Sequence, residues 1–341
     1  MIVSIRNHMA TLIAFIVALL ITGILLMTSG SDALRAFAIL FWGALTTPSR
    51  VADMLMLMSP LLLCAIGLSV SFAAGQYNLG IEGQMTVGGI AAMGVLRLYT
   101  QGDAPYVYWL LAIVLGMVAG MLWALLVASL KRYTHVSEIF AGLGMNFVAL
   151  GAALYLVFGP WKRPGVASMS GTEPLVEALW LPTLPATRLA WMTPLIACVV
   201  LVVIWRILRH SQWGLQVRAC GLSPQASMRM GIPATLRTFQ AMALCGTLAG
   251  LAGALQILGV YHALVPNVAS GIGLMGLLVA LLVRADIRFV PVVAFFFAVI
   301  TSGSIQLPLS LSIDSSISGV LQGLIVLAIL VSRVVRKEGQ L

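Results

Sequence analysis

In Gly75–Gln84, GQYNLGIEGQ, four polar side chains crowd together: Gln76, Asn78, Glu82 and Gln84. Three amides and a carboxylate supply donors and acceptors that can hold a small polar solute or hold one another. Gly75, Gly80 and Gly83 loosen the backbone between them. Long apolar runs flank the stretch, and polar groups beside hydrocarbon are costly unless they face protein, water or a ligand. A polar loop ending in a helix cap satisfies that condition, and so does the wall of a solute path. Glu82 carries the same ambiguity: it caps the helix that follows from its first turn, as the helix dipole favours, or it faces the path.

Asn146 stands alone further on. It lies eight residues beyond Glu138 on an expected helix, which is about 12 Å of depth. A buried amide there needs a partner, either in a helix–helix hydrogen bond or along a path. The remaining acids give little to an ion-coupled carrier: Asp53 and Asp314 sit near span ends, and Glu138 can pair with Lys131 or Arg132 at an interface. The four histidines are scattered, with no HExxH. Cys64, Cys198, Cys220 and Cys245 form no CxxC and read as small buried hydrophobes. Neither a metal site nor a catalytic constellation is expected, so the chain is not an enzyme. None of the three lysines, Lys131, Lys162 and Lys337, follows a glycine. There is no Walker A loop, and if ATP drives this chain another subunit must bind it.

The elements that carry these residues follow from composition. Of 341 residues, 61% are hydrophobic and 9% charged, too few charges to cover a soluble domain. The expected class is an all-α polytopic membrane protein, one permease-like transmembrane domain over 1–341. The net charge of +9 is spread between apolar runs, which points to the lipid bilayer and not to nucleic acid. The apolar runs predict about ten transmembrane helices, at 9–27, 51–74, 85–98, 106–130, 136–158, 191–208, 239–260, 270–283, 289–306 and 315–331. The third is short, so part of Gly75–Gln84 is expected to be embedded. Pro60 predicts a kink, and the Gly116–Gly120 spacing and the set Gly246, Gly250 and Gly253 predict close helix contacts. With the N-terminus inside, the inner segments hold 13 of the 19 Lys and Arg residues and the outer ones 6. That bias places both termini in the cytoplasm.

Three segments lie outside the spans. Residues 31–45 predict a helix in the outer interface, started by Asp32. Residues 159–190 form a long loop with five prolines, two tryptophans and two glutamates. Residues 209–237 are basic and free of acids. Within them Ser223-Pro224 predicts a helix start and Gly231-Ile232-Pro233 a stop. This places a short helix, Gln225–Met230, on the cytoplasmic side, either in a simple basic loop or as a docking helix for a partner.

The run Ser59–Gln84 resembles the permease subunits of bacterial ABC importers, in the nucleoside and simple-sugar branch related to the ribose and branched-chain amino-acid permeases. The most specific part is Asn78-Leu79-Gly80-Ile81-Glu82-Gly83-Gln84, similar to a pattern N-[IL]-G-x-E-G-Q. Met145-Asn146 after Glu138, the outer run Gly159–Gly165, and Gly214–Ile232 with Arg218-Ala219, Gly221, Pro224, Ala226 and Gly231 agree as well. The resemblance implies a multi-pass protein of the bacterial inner membrane with no cofactor of its own. ATP and magnesium would sit in a separate ABC ATPase subunit. A second permease subunit, the same or different, and an extracytoplasmic substrate-binding protein would complete the assembly. By the same resemblance Asn78, Glu82, Gln84 and Asn146 would shape or line the translocation path. Arg218, Gly221, Ala226 and Gly231 would couple it to the ATPase, and the 159–190 loop would help seat the binding protein. The solute implied is a nucleoside, with simple sugars or other small solutes as the alternative. A stand-alone ion-coupled carrier is the competing class.

Overall fold

A computed structural model describes residues 32–134, 136–163, 165, 171–283 and 286–311, with positions 320, 323, 324 and 327. The expected first span, 9–27, lies outside these residues, as does nearly all of the tenth. Among the described residues there are eleven α-helices: α1 Ala33–Trp42, α2 Pro48–Ala73, α3 Ile81–Leu96, α4 Pro105–Thr134, α5 Glu138–Phe158, α6 Met192–His210, α7 Gln212–Leu222, α8 Pro224–Arg229, α9 Ala234–Gln256, α10 Ile272–Leu282 and α11 Val290–Leu311. Six helical segments are long and apolar enough to cross a membrane, and three shorter apolar helices accompany them.

The described residues fall into two compact units, one built from the chain up to Met54 and from Phe296 onward, the other from Leu55–Phe295. In the smaller unit Asp32 caps α1, its carboxylate accepting the Leu34 amide at 2.9 Å and that of Arg35 at 3.3 Å. Ala36 and Leu40, one turn apart on α1, bury themselves with Ile300 and Leu307 of α11. Gly303 lets the two backbones meet: a Cβ there would overlap the Leu40 carbonyl.

In the larger unit α3, α4 and α9 pack most closely on one another. A row of glycines removes the side chains that would hold them apart. A Cβ on Gly88 would meet the Gly250 backbone, one on Gly120 the Gly246 carbonyl, and one on Gly253 the Met85 carbonyl. The Gly116–Gly120 spacing thus marks a real crossing. The glycines of α9 face α3 and α4 together, which is why that helix is buried while α4, α5 and α6 present leucine, valine and phenylalanine outward. Past Gln256, α9 continues as a π-helical turn, Ile257–Tyr261, ending at His262 in the left-handed conformation (φ 51°).

The ends of this bundle differ in chemistry. At the C-terminal end of α4, Lys131 pairs with Glu138 of α5 and donates to Gln76 Oε1 at 2.6 Å. At its N-terminal end, Trp109 donates to the Leu179 carbonyl at 2.9 Å. There the loop after α5 is pinned to the chain that follows α9. Thr172, Leu175 and Leu181 donate backbone bonds to Leu264, His262 and Leu258, and Trp180 stacks on His262 with 4.1 Å between ring centroids.

Candidate functional site

The motif begins where α2 runs out. Gly75 turns the chain with φ 74°, a conformation that costs little only without a Cβ. Asn78 then takes over: its Oδ1 accepts the Gly80 amide at 3.2 Å, which positions the start of α3 at Ile81, four residues before the apolar run in the sequence begins. Asn78 and Gln84 are both fully buried. Each carboxamide donates to the other at 2.9 Å, and Asn78 Nδ2 also reaches Cys245 Sγ of α9 at 3.1 Å. The reciprocal pair satisfies both amides inside the bundle, as buried polar groups require.

Asn146 supplies a second clamp, from α5. Its Oδ1 accepts the Gly83 amide and its Nδ2 donates to the Leu79 carbonyl, each at 2.8 Å. The Gly83 amide is one of the first-turn donors of α3 that have no partner within the helix, and the Leu79 carbonyl lies just before its cap. Gly83 is needed for this approach, since a Cβ would stand 2.9 Å from Asn146 Oδ1 and 3.0 Å from the Trp123 indole nitrogen. Gly142 makes room on the same face, where a Cβ would come within 2.6 Å of the Gly80 nitrogen.

Glu82 goes another way. It stands in the first turn of α3, half-buried, and its Oε1 accepts the Leu274 amide at 3.4 Å. Leu274 lies in the first turn of α10, whose N-cap is Gly271 at φ 78°. The carboxylate therefore meets the positive ends of two helices at once. The glycine-rich starts of α3 and α10 lie far apart in sequence and touch here through Glu82 and Gly273.

The basic segment contains two helices, α7 and α8, where the sequence predicted only the second. Ser211 caps α7 by accepting the Gly214 amide at 3.0 Å. Ser211 before α7 is a sequence signal that could have marked this helix. Ser223 caps α8 through the Ala226 amide at 3.3 Å with Pro224 in the first turn, and Gly231 leaves it at φ 78°. Ala226 and Gly231 are exposed, as are the apolar side chains Leu222, Met228 and Met230. Arg218 is exposed too, its Nε donating to the Gly214 carbonyl at 3.3 Å. Gly221 is the point of attachment. A Cβ there would overlap the Ala73 carbonyl and stand 3.0 Å from the Gly75 nitrogen. The end of α7 thus lies directly on the backbone from which the motif starts.

The structure brings Asn78, Gln84 and Asn146 into one frame around the start of α3, with Glu82 on its α10 side. It joins Gly221 to the lower edge of that frame and leaves Arg218, Ala226 and Gly231 outside it. Sequence reasoning missed Cys245, whose thiol carries no spacing signal, and the ring formed when Glu138 accepts the Tyr77 amide at 2.9 Å beside Lys131 and Gln76.

Comparison with known proteins matches residues 50–330 to the family described as the branched-chain amino acid transport system / permease component. The chain belongs to this family. It is a permease component of a transport system and a multi-pass membrane protein. It is 26% identical to the guanosine ABC transporter permease protein NupP of Bacillus subtilis, over 98% of this chain and 97% of that one. It is 25% identical to the nucleoside ABC transporter permease protein NupB of Lactococcus lactis, over 88% and 84%. The putative glucose ABC transporter permease protein TsgC13 of Haloferax volcanii is 30% identical over 78% and 80%. Among solved structures, a chain of PsaBC from Streptococcus pneumoniae in complex with Fab shares the fold, at a TM-score of 0.50 and 14% identity over 87% of this permease and 95% of that chain.

Proposed function

We propose that this permease is the membrane-embedded subunit of an ATP-driven ABC importer and that its solute is a nucleoside. The observation that carries the coupling is the seat of Gly221 on Ala73 and Gly75. A cytoplasmic ATPase gripping the exposed helix α8 would move α7 with it, and Gly221 would pass that movement to the start of the motif with no side chain between. Asn78, Gln84 and Asn146 shape the path by fixing the opening of α3, and Glu82 stands where α3 and α10 can part. Arg218, Ala226 and Gly231 serve the docking surface. The nucleoside is supported by the guanosine and nucleoside permeases that align along most of the chain; the glucose permeases keep a simple sugar as the alternative. The positive-inside bias supports about ten spans, cytoplasmic termini and a cytoplasmic 209–237 segment. The 159–190 loop would then lie outside, where it would help seat a binding protein.

The test is uptake of radiolabelled guanosine and glucose into proteoliposomes holding the permease with its co-encoded ATPase, second permease and binding protein. ATP-dependent guanosine uptake, absent when the ATPase is omitted, is the expected result. Uptake that survives without the ATPase and collapses with an ion gradient would make the chain an ion-coupled carrier.

A further inference from the structure

A cavity lies at the end of the larger unit where α6, α7 and the 286–288 turn converge, beside the seat of Gly221 on Ala73. It has a volume of about 570 Å³, and its walls include Phe72, Trp205, Arg209, Arg218, Asp286 and Arg288. Three guanidinium groups face one carboxylate. Arg288 takes up that carboxylate as a fork, Nε to Oδ1 at 3.0 Å and Nη2 to Oδ2 at 2.7 Å. Arg209 has no ion pair among the described residues, and Arg218 spends only its Nε, on the Gly214 carbonyl. The cavity therefore keeps a surplus of positive charge. The Arg288 fork holds the Asp286 carboxyl below its usual range, with a smaller contribution from the charge of Arg209.

The surroundings are those of a membrane interface. Up to Arg209, α6 exposes an apolar face of Leu195, Val199, Val202, Val203 and Ile207. Beyond Arg288, Phe289 and Val292 are exposed as well, with the guanidinium 5.8 Å from the Phe289 ring centroid. Trp205 is the kind of side chain that settles at headgroup depth, and its indole N–H is buried without an acceptor among the described residues. A charged recess at the end of two apolar, outward faces matches one kind of molecule: a phosphate-bearing headgroup whose acyl chains run along the helices.

We infer that the cavity bounded by Arg209, Arg218 and Arg288 is a binding site for the phosphate of an anionic phospholipid. The headgroup supplies the charge that Arg209 lacks, and the chains cover α6. A lipid held there would brace α7 from behind.

The experiment is native mass spectrometry of the purified permease titrated with cardiolipin, phosphatidylglycerol and phosphatidylcholine, with inorganic phosphate as competitor. Cardiolipin and phosphatidylglycerol should bind in preference to phosphatidylcholine. Affinity should fall about fivefold for each arginine removed in R209Q and R288Q. R209K/R288K should restore most of it. R206Q, which removes a charge from α6 outside the cavity, should leave it unchanged, and millimolar phosphate should not displace the lipid. Equal binding of phosphatidylcholine, unchanged affinity in R209Q/R288Q, or an equal loss in R206Q would overturn the inference. Displacement by phosphate alone would show an anion pocket and not a lipid site, and loss of lipid on adding the ATPase subunit would assign the cavity to that protein. None of these readouts requires transport, so the lipid site stands or falls apart from the importer.

Discussion

The amides of the motif show why a residue's type can be read from sequence while its partner cannot. Asn146 had to have a partner because its helix position put it deep among apolar side chains. That it clamps Gly83 and Leu79, more than sixty residues away, depends on how α5 leans on α3, and no local spacing encodes that. Asn78 and Gln84 were visible as polar groups in the wrong solvent, and the structure answers with a closed pair. Asn78→Leu should leave the Gln84 carboxamide buried and unpaired, at a cost of about 1–3 kcal/mol. Adding Gln84→Met removes the orphaned group. The double variant in detergent should therefore be less destabilised than the sum of the singles by about 1 kcal/mol, and strict additivity would show that the amides do not pair. His262 gives the matching test at the opposite end. Burial under Trp180 lowers its pKa below the ordinary 6.5, so the opened loop binds a proton more readily than the packed one. The loop staple should be fully stable above about pH 6.5 and weaken as the pH falls toward the lowered value. Hydrogen exchange at Leu175 and Leu181, corrected for its intrinsic pH dependence, should show this in the native chain and lose it in His262→Gln.

At the scale of elements, helix existence was legible and helix contact only partly so. Apolar length gave α2, α4, α5, α6, α9 and α11, because burying a backbone in hydrocarbon leaves little choice but a helix. Gly116, Gly120, Gly246, Gly250 and Gly253 were legible as contact glycines from their spacing. Glycines without such a repeat were not. On α5, Gly142 and Gly144 are two residues apart and read alike in sequence. A Cβ on Gly142 would meet the Gly80 nitrogen at 2.6 Å, whereas one on Gly144 meets nothing within 4 Å. Gly142→Ala should push α5 from α3 and cost about 1–3 kcal/mol. Gly144→Ala should be neutral or stabilising, by up to about 1 kcal/mol, through helix propensity alone. Thermal unfolding of the two variants in the same detergent decides it: equal shifts would mean that α5 does not touch the motif as described.

For the whole molecule the question is how the proposed ATPase would drive this permease from one end. Sequence exposed the parts: a basic segment with a capped short helix, and a polar motif far from it in the chain. It could not show that they touch, since Gly221 carries no side chain to announce a partner. On the proposed function, the contact divides the segment into two roles that mutation can separate. Gly221→Ala keeps the exposed surface of α8 intact but forces α7 off the Ala73 carbonyl. The ATPase should still co-purify and hydrolyse ATP, while solute moved per ATP falls about five- to thirtyfold, as a displacement costing about 1–2 kcal/mol at the coupling step requires. Ala226→Glu changes only the exposed face of α8 and should act the other way, releasing the ATPase while leaving the fold and the Gly221 seat undisturbed. Import and hydrolysis lost together in both variants would mean that the segment is a simple docking loop. Hydrolysis kept and import lost only in Gly221→Ala would place the transmission of force at a single backbone contact.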